Sequence, residues 1–337
     1  MEKLKVGLCG YGGMGHVHAA NLAKMEDIEV VAVCDKRPAQ LAAKDVAINI
    51  NTGKQEFDIR KCRTYADFRT MLKKEKLDAV VNALPTDLHA KFAILAMNQG
   101  VSVFSEKPMA ISAAQGEAML AARDKNRVQL QIGQCLRFWP EYETLLAAIR
   151  EKTYGKLASL TMTRIGSYVP WASENWYNDH KRSGGAILDL HLHDVDWVIH
   201  AFGQPRSLAA GGFTGKSGGI DDLTSIWRYD GFLVTMRGSW KYHIGFAMSF
   251  QAFFEKASMD YGIHPEAALR IRRPGAEKDE LLPVEKISAY FKELCYFFDT
   301  VRGRRKNLLC RAESTRESVR MVELEREVIK SGKWLKP

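Results

Sequence analysis

Along the first part of the chain the apolar positions cluster in short runs. Residues 5–9, 30–33, 79–83, 101–104 and 128–132 are such runs, and a strand reads this way when both of its faces are buried in a parallel sheet. Stretches of helical period separate them, over 14–24, 38–47, 65–74, 88–98 and 112–125, with Asn98-Gln99-Gly100 as a stop. Residues 49–61 are polar, lack a clear period and read as a loop. This alternation predicts a parallel sheet with helices on both faces.

After about residue 150 the pattern changes. Residues 155–164 alternate like a half-buried strand, and 222–229 and 232–240 are two strands around Asp230-Gly231, a strong hairpin signal. Residues 246–259 and the region of Arg270 read as further strands, and 288–302 and 314–331 as two closing helices. An antiparallel or mixed sheet with one open face follows. A chain of 337 residues is long for one core, so two domains are expected.

Composition changes this picture little. A hydrophobic share of 46% and a charged share of 26% are ordinary globular values. No apolar run reaches membrane-spanning length, and Met1-Glu2-Lys3-Leu4-Lys5 runs straight into a strand, so a cytoplasmic protein without membrane association is expected. The six cysteines are scattered, with no C-x-x-C pair. Neither disulfides nor a cysteine metal site is expected. The net charge of +9 is spread out; the one dense group, Arg302, Arg304, Arg305 and Lys306, follows a predicted helix, where cations suit the dipole. With no nucleic-acid motif present, nucleic acid is not an expected partner.

The candidate chemistry begins at Gly10-Tyr11-Gly12-Gly13-Met14-Gly15, a G-x-G-x-x-G between a strand and a helix. Gly10 permits the tight turn, Gly12 lets backbone amides approach a pyrophosphate, and Gly15 allows close helix packing. The phosphates would face the positive end of a helix dipole. Asp35 lies about 20 residues past the last glycine, where an acid accepts hydrogen bonds from the adenosine ribose and repels a 2′-phosphate. That favours NAD, while Arg37 keeps NADP open.

Two more segments carry chemistry. Ser105-Glu106-Lys107-Pro108 ends a predicted strand, and ligands of open α/β sheets bind beyond such carboxyl ends. The stretch from Ser183 to Phe202 reads as one helix capped by Ser183. On it Asp189 and His193 would stack at i and i+4, a carboxylate–imidazole pair suited to proton transfer, with Asp196 a turn further along. Metal binding by His191, His193, Asp194, Asp196 and His200 competes with that reading, as does a purely structural role. On a helix, however, His191 and His193 point in different directions, and no metal is expected. The preceding residues 168–182 bring Trp171, Trp176, Tyr177 and several amides, which suit a polyhydroxylated ligand.

The Gly10 loop, Leu84-Pro85-Thr86 with His89, Glu106-Lys107-Pro108, and Gly184-Gly185 through Asp189, His193 and Asp196 occur in that order. In this the chain resembles the glucose–fructose oxidoreductase/inositol dehydrogenase (Gfo/Idh/MocA) family of NAD(P)-dependent oxidoreductases, over nearly its whole length. The resemblance implies an α/β protein with a Rossmann domain over 1–125. A substrate-binding and oligomerisation domain over 126–337 would follow, with a large, open, mostly antiparallel sheet and pairing into a homodimer or homotetramer through it. It implies that Lys107 contacts the reacting hydroxyl and the nicotinamide, that Asp189 binds substrate, and that His193 transfers the proton. Pro85, Thr86 and His89 would line the nicotinamide ribose, with Glu106 beside them, and Arg137 would lie near the substrate. His191 stands where the family often has glycine and would add a polar group to the substrate pocket. The implied reaction is oxidation of a secondary hydroxyl on a sugar or polyol. An NAD-retaining glycoside-cleaving relative and a non-enzymatic sugar- or dinucleotide-sensing regulator are the alternatives.

Overall fold

The alternating first part builds a six-stranded parallel sheet in the computed structural model, which describes residues 2–43, 56–170, 172–264, 269–334 and 336. Its elements are β1 (Leu4–Cys9), α1 (Gly13–Leu22), β2 (Ile28–Cys34), α2 (Pro38–Ala42), β3 (Arg63–Tyr65), α3 (Phe68–Lys74), β4 (Ala79–Asn82), α4 (Thr86–Met97), β5 (Ser102–Glu106), α5 (Ala113–Asn126) and β6 (Leu130–Gly133). The strand order is β3-β2-β1-β4-β5-β6, so the winding reverses between β1 and β4. Ligands of such sheets bind at that reversal, beyond the carboxyl ends of the strands.

Two expectations change here. Tyr65, expected to open a helix, instead ends β3, and α3 starts only at Phe68, because the Asp67 carboxylate accepts the Thr70 N–H at 2.8 Å and sets the helix start there. Of the loop expected over 49–61, residues 49–55 lie outside the described residues, as do 44–47 of the helix expected over 38–47. Residues 59–61 form one 3-10 turn.

The second part continues with α6 (Pro140–Glu151), β7 (Leu157–Ser167), α7 (His180–Ser183), α8 (Ala186–Asp189), α9 (Leu192–Phe202), β8 (Ser207–Thr214), β9 (Ile220–Arg228), β10 (Leu233–Ser239), β11 (Lys241–Phe254), β12 (Ser258–Tyr261), β13 (Leu269–Arg272) and β14 (Glu280–Leu282). The chain closes with α10 (Ala289–Val301) and α11 (Ala312–Ser331). The sheet runs β14-β13-β12-β11-β7-β10-β9-β8, antiparallel except where β10 pairs with β7. The β9–β10 hairpin turns at Asp230-Gly231, where Gly231 has φ +88°. The single stretch expected over 246–259 is two strands, and α6, β8 and β14 were not expected. On one face Leu160, Met162, Trp227, Val234 and Phe250 are buried, and Tyr142 of α6 packs edge-on against Trp197 and Phe250.

The chain divides into Met1–Cys135 with Ser288–Arg316, and Leu136–Ile287 with Glu317–Pro337. A boundary at 125/126 would sever β6 from its sheet and miss the return of α10. That helix places Leu294, Phe297 and Phe298 in one core with Val6, Leu8, Val81 and Phe104. Burial of this large apolar face recruits a segment distant in sequence. Among the described residues no helix is long and apolar enough to cross a membrane.

Candidate functional site

The glycine turn follows β1 at the reversal of the first sheet. Gly10 has φ +91°, and a Cβ there would meet the Ala83 carbonyl oxygen at 2.5 Å. A Cβ on Gly15 would lie 2.1 Å from the Gly10 carbonyl oxygen, so Gly15 secures closeness to the turn itself. A Cβ on Gly12 would meet nothing within 4 Å, which leaves backbone approach open at that point. No side chain caps α1, so its first amides suit a phosphate. Asp35, at the end of β2, is buried; it accepts the Tyr11 N–H at 3.0 Å and the Arg37 N–H and Nε–H at 2.9 and 3.2 Å. The Arg37 guanidinium is thus folded back onto Asp35. Thr86, next to Pro85 at the start of α4, is buried with its hydroxyl unpartnered among the described residues. Uncapped amides, an accessible Gly12, a ribose-height carboxylate and an orphaned hydroxyl together fit a dinucleotide.

At the end of β5 every residue from Val101 to Ala110 is buried except Lys107. Glu106 lies beneath it: His18 Nε2–H donates to Oε1 at 2.6 Å, and the Lys107 N–H donates to Oε2 at 3.1 Å. Burial raises the Glu106 pKa, but the His18 hydrogen bond and the electrostatic influence of His18, Lys107 and His89 outweigh it and bring it below the usual carboxylate value. His89 joins two loops. Its Nδ1 lies 2.6 Å from the Pro108 carbonyl oxygen and its Nε2 2.7 Å from that of Leu84. Both partners are acceptors and call for N–H donors; burial acts against the imidazolium that would serve both and holds the pKa below the ordinary histidine value.

In the second unit the expected single helix is in two pieces, α8 and α9. Gly184 and Gly185 both have positive φ, +84° and +75°, and Ser183 ends α7 instead of capping a long helix. Asp221, which the sequence reading missed, is fully buried under this turn. It accepts from the Ala186 N–H at 3.3 Å, the Ser217 N–H at 2.9 Å, the Ser217 hydroxyl at 2.6 Å and the Tyr168 hydroxyl at 3.0 Å. Asp189 is buried at the end of α8, and His193 half-buried in the first turn of α9. Between them the His191 N–H reaches back five residues to the Ala186 oxygen, and Asp194 N–H only three, to His191. This irregular turn means that Asp189 and His193 do not share a face of one regular helix.

Two residues expected at the substrate have other work. Arg137 is buried and bidentate on Asp196, with Nε and Nη2 at 2.8 and 2.7 Å from its two oxygens. His191 is fully buried, with Nε2 3.0 Å from Glu325 Oε2, while the Trp227 Nε1–H donates to Glu325 Oε1 at 2.9 Å. The turn at 190–191 sets its ring against Glu325 of α11. Arg164 likewise pairs with buried Asp194. Of the residues weighed above as a competing metal set, His191, Asp194 and Asp196 are thus each engaged by a buried charged partner. Tyr177 packs with Tyr168 and Phe246 against Ala186, Leu190 and Trp240, its ring 3.9 Å from that of Trp176; Trp171 lies outside the described residues.

A doubly wound parallel sheet with this glycine turn, followed by a mixed sheet carrying the Gly184–His193 turn, defines a dinucleotide-binding oxidoreductase class. The profile of an oxidoreductase family with an NAD-binding Rossmann fold matches residues 4–134, and that of the GFO/IDH/MocA C-terminal domain matches 142–260. The chain belongs to the Gfo/Idh/MocA family. It is 26% identical over 234 residues to the myo-inositol 2-dehydrogenase of Thermotoga maritima, covering 67% of this chain and 65% of that one. It is 31% identical over 208 residues to the inositol 2-dehydrogenase of Rhizobium meliloti, covering 61% and 58%. The matched regions therefore span less than two thirds of these curated relatives. The crystal structure of the myo-inositol 2-dehydrogenase of Lactobacillus plantarum superposes with a TM-score of 0.81 at 19% identity, covering 99% of both chains, and shares the fold.

Proposed function

We propose that the chain is an NAD(P)-dependent dehydrogenase that oxidises a secondary hydroxyl of a sugar or polyol, like the inositol dehydrogenases in substrate class. One observation carries this reading: a lone accessible lysine stands at the carboxyl end of β5, in an otherwise buried segment, with its backbone N–H held by Glu106. The Gly10–Gly15 turn and the first turn of α1 would hold the pyrophosphate, Asp35 the adenosine ribose, and Thr86 with its neighbours the nicotinamide end. When bound, the nicotinamide supplies a hydride acceptor. The Lys107 ammonium hydrogen-bonds the substrate oxygen and stabilises its developing negative charge. His193 removes the hydroxyl proton, and Asp189 accepts a hydrogen bond from the substrate. The similarity to inositol dehydrogenases supports the choice of a polyol.

The test follows formation of reduced nicotinamide by absorbance over a panel of polyols and sugars, with NAD and NADP in parallel. Lys107→Ala is expected to lower kcat by about 100- to 1,000-fold, the usual loss of one oxyanion-stabilising donor, with the NAD dissociation constant unchanged. Undiminished turnover in that variant removes Lys107 from the mechanism, and a panel without nicotinamide reduction removes the dehydrogenase reading.

A further inference from the structure

Beneath Lys107 lies a cluster that the reaction above does not use. His18 of α1, Glu106 of β5 and Glu293 of α10 are all buried, with donor and acceptor atoms within 4.8 Å of one another. Glu106 has both oxygens engaged, one by His18 and one by the Lys107 N–H. Glu293 is different. It is 0% exposed, and neither carboxyl oxygen has a partner among the described residues. Its backbone is anchored all the same, since the Gln131 side-chain N–H donates to the Glu293 carbonyl oxygen at 2.9 Å. The titratable groups that face it are His18 from α1 and Glu106 from β5; β6, of sequence LQIG, brings none.

Two carboxylates this close in a dry interior do not both ionise: one holds a proton, or a cation lies between them. A shared metal ion fits the spacing poorly. Two ligands about 2.0 Å from one tetrahedral ion sit about 3.3 Å apart, whereas His18 and Glu106 are 2.6 Å apart, a hydrogen-bond distance.

We infer that Glu293 is a positioning residue: a neutral carboxylic acid that presents its proton toward Glu106 and, opposite His18, keeps the Glu106 carboxylate and the Glu106-Lys107-Pro108 turn in one place. The role in turnover rests on the reading of Lys107 given above. Burial, reinforced by the Glu106 charge, pushes the Glu293 carboxyl far above the ordinary carboxylate range. Lys107 and His89 bear on the cluster through Glu106, which they help keep ionised. A carboxyl raised in the folded state contributes stability that is complete below its unfolded pKa, about 4.3, and is lost as pH rises toward the folded-state value. Glu293→Gln has no such proton to lose.

Infrared spectroscopy of the intact protein at neutral pH reads the proton directly. The expected result is a protonated-carboxyl C=O band that Glu293→Gln removes. In denaturant titrations the stability of Glu293→Gln relative to wild type should increase as pH rises from about 5 to about 9. In turnover, Glu293→Gln should stay within about threefold of wild type, whereas Glu293→Ala should lower kcat by about tenfold or more through a displaced lysine. Absence of a band that the glutamine variant removes overturns the inference. So does a metal that co-purifies stoichiometrically and is lost in Glu293→Gln, or a folded Glu293→Gln as impaired as Glu293→Ala. A wild-type protein inert on every polyol defeats the functional reading alone; the band and the pH-dependent stability still decide where the proton sits.

Discussion

Buried charges in the second unit find partners far away in sequence, and these pairs set what each residue can do. Arg137 meets Asp196, which also accepts the Ser318 hydroxyl at 2.8 Å. Removing one member of a buried pair leaves the other charge uncompensated. Arg137→Leu is therefore expected to cost about 3–5 kcal/mol in denaturant unfolding, with the KM for the polyol unchanged in the protein that still folds. A raised KM at wild-type stability would return Arg137 to the substrate. His191 shows the same logic. Burial lowers its pKa, but the Glu325 carboxylate beside it, helped by Asp194, reverses the sign and raises it. Its place where the family often has glycine suggested a pocket; its direction is decided by Glu325, 134 residues away.

At the scale of elements, the strand–glycine–helix unit was legible because its determinants are local. Gly10 needs its positive φ, Gly15 needs to lack a Cβ, and Asp35 ends the very next strand. The acid also ties the unit together by accepting the Tyr11 N–H. Because the Arg37 guanidinium lies on Asp35, Asp35→Ala should release it toward a 2′-phosphate and remove the repulsion at once. The ratio of kcat/KM for NADP to that for NAD is expected to rise by about tenfold or more, measured with the best substrate of the panel. An unchanged ratio would separate Asp35 from cofactor choice. The Ser183–Phe202 segment was misread as one helix because its periodicity is intact while its backbone is not. Two glycines at positive φ and a five-residue reach at His191 leave no mark on the apolar pattern.

For the whole molecule, the division into units follows burial rather than chain order. α10 has its apolar face in the first core although it follows the entire second sheet in sequence. The second sheet alternates cleanly: one face holds Leu160, Met162, Val234 and Met236 fully buried, while Leu233 and Phe253 each remain 44% exposed. Exposed apolar side chains on a wide sheet favour association between copies. Light scattering is expected to give a multiple of the single-chain mass, and Phe253→Glu to shift it toward one chain. A wild-type protein that scatters as a single chain would count against that surface.

The glycine turn, the strand-end lysine and the run of parallel strands were readable in the amino-acid order because each depends on backbone geometry and burial within a few dozen residues. The placing of Glu293 beside His18 and Glu106, and the pairings of His191 with Glu325, of Arg137 with Asp196, and of Asp221 with the 185–186 turn were not. A buried polar group must find its partner wherever the packed chain supplies one, and that choice exists only once distant segments have come together.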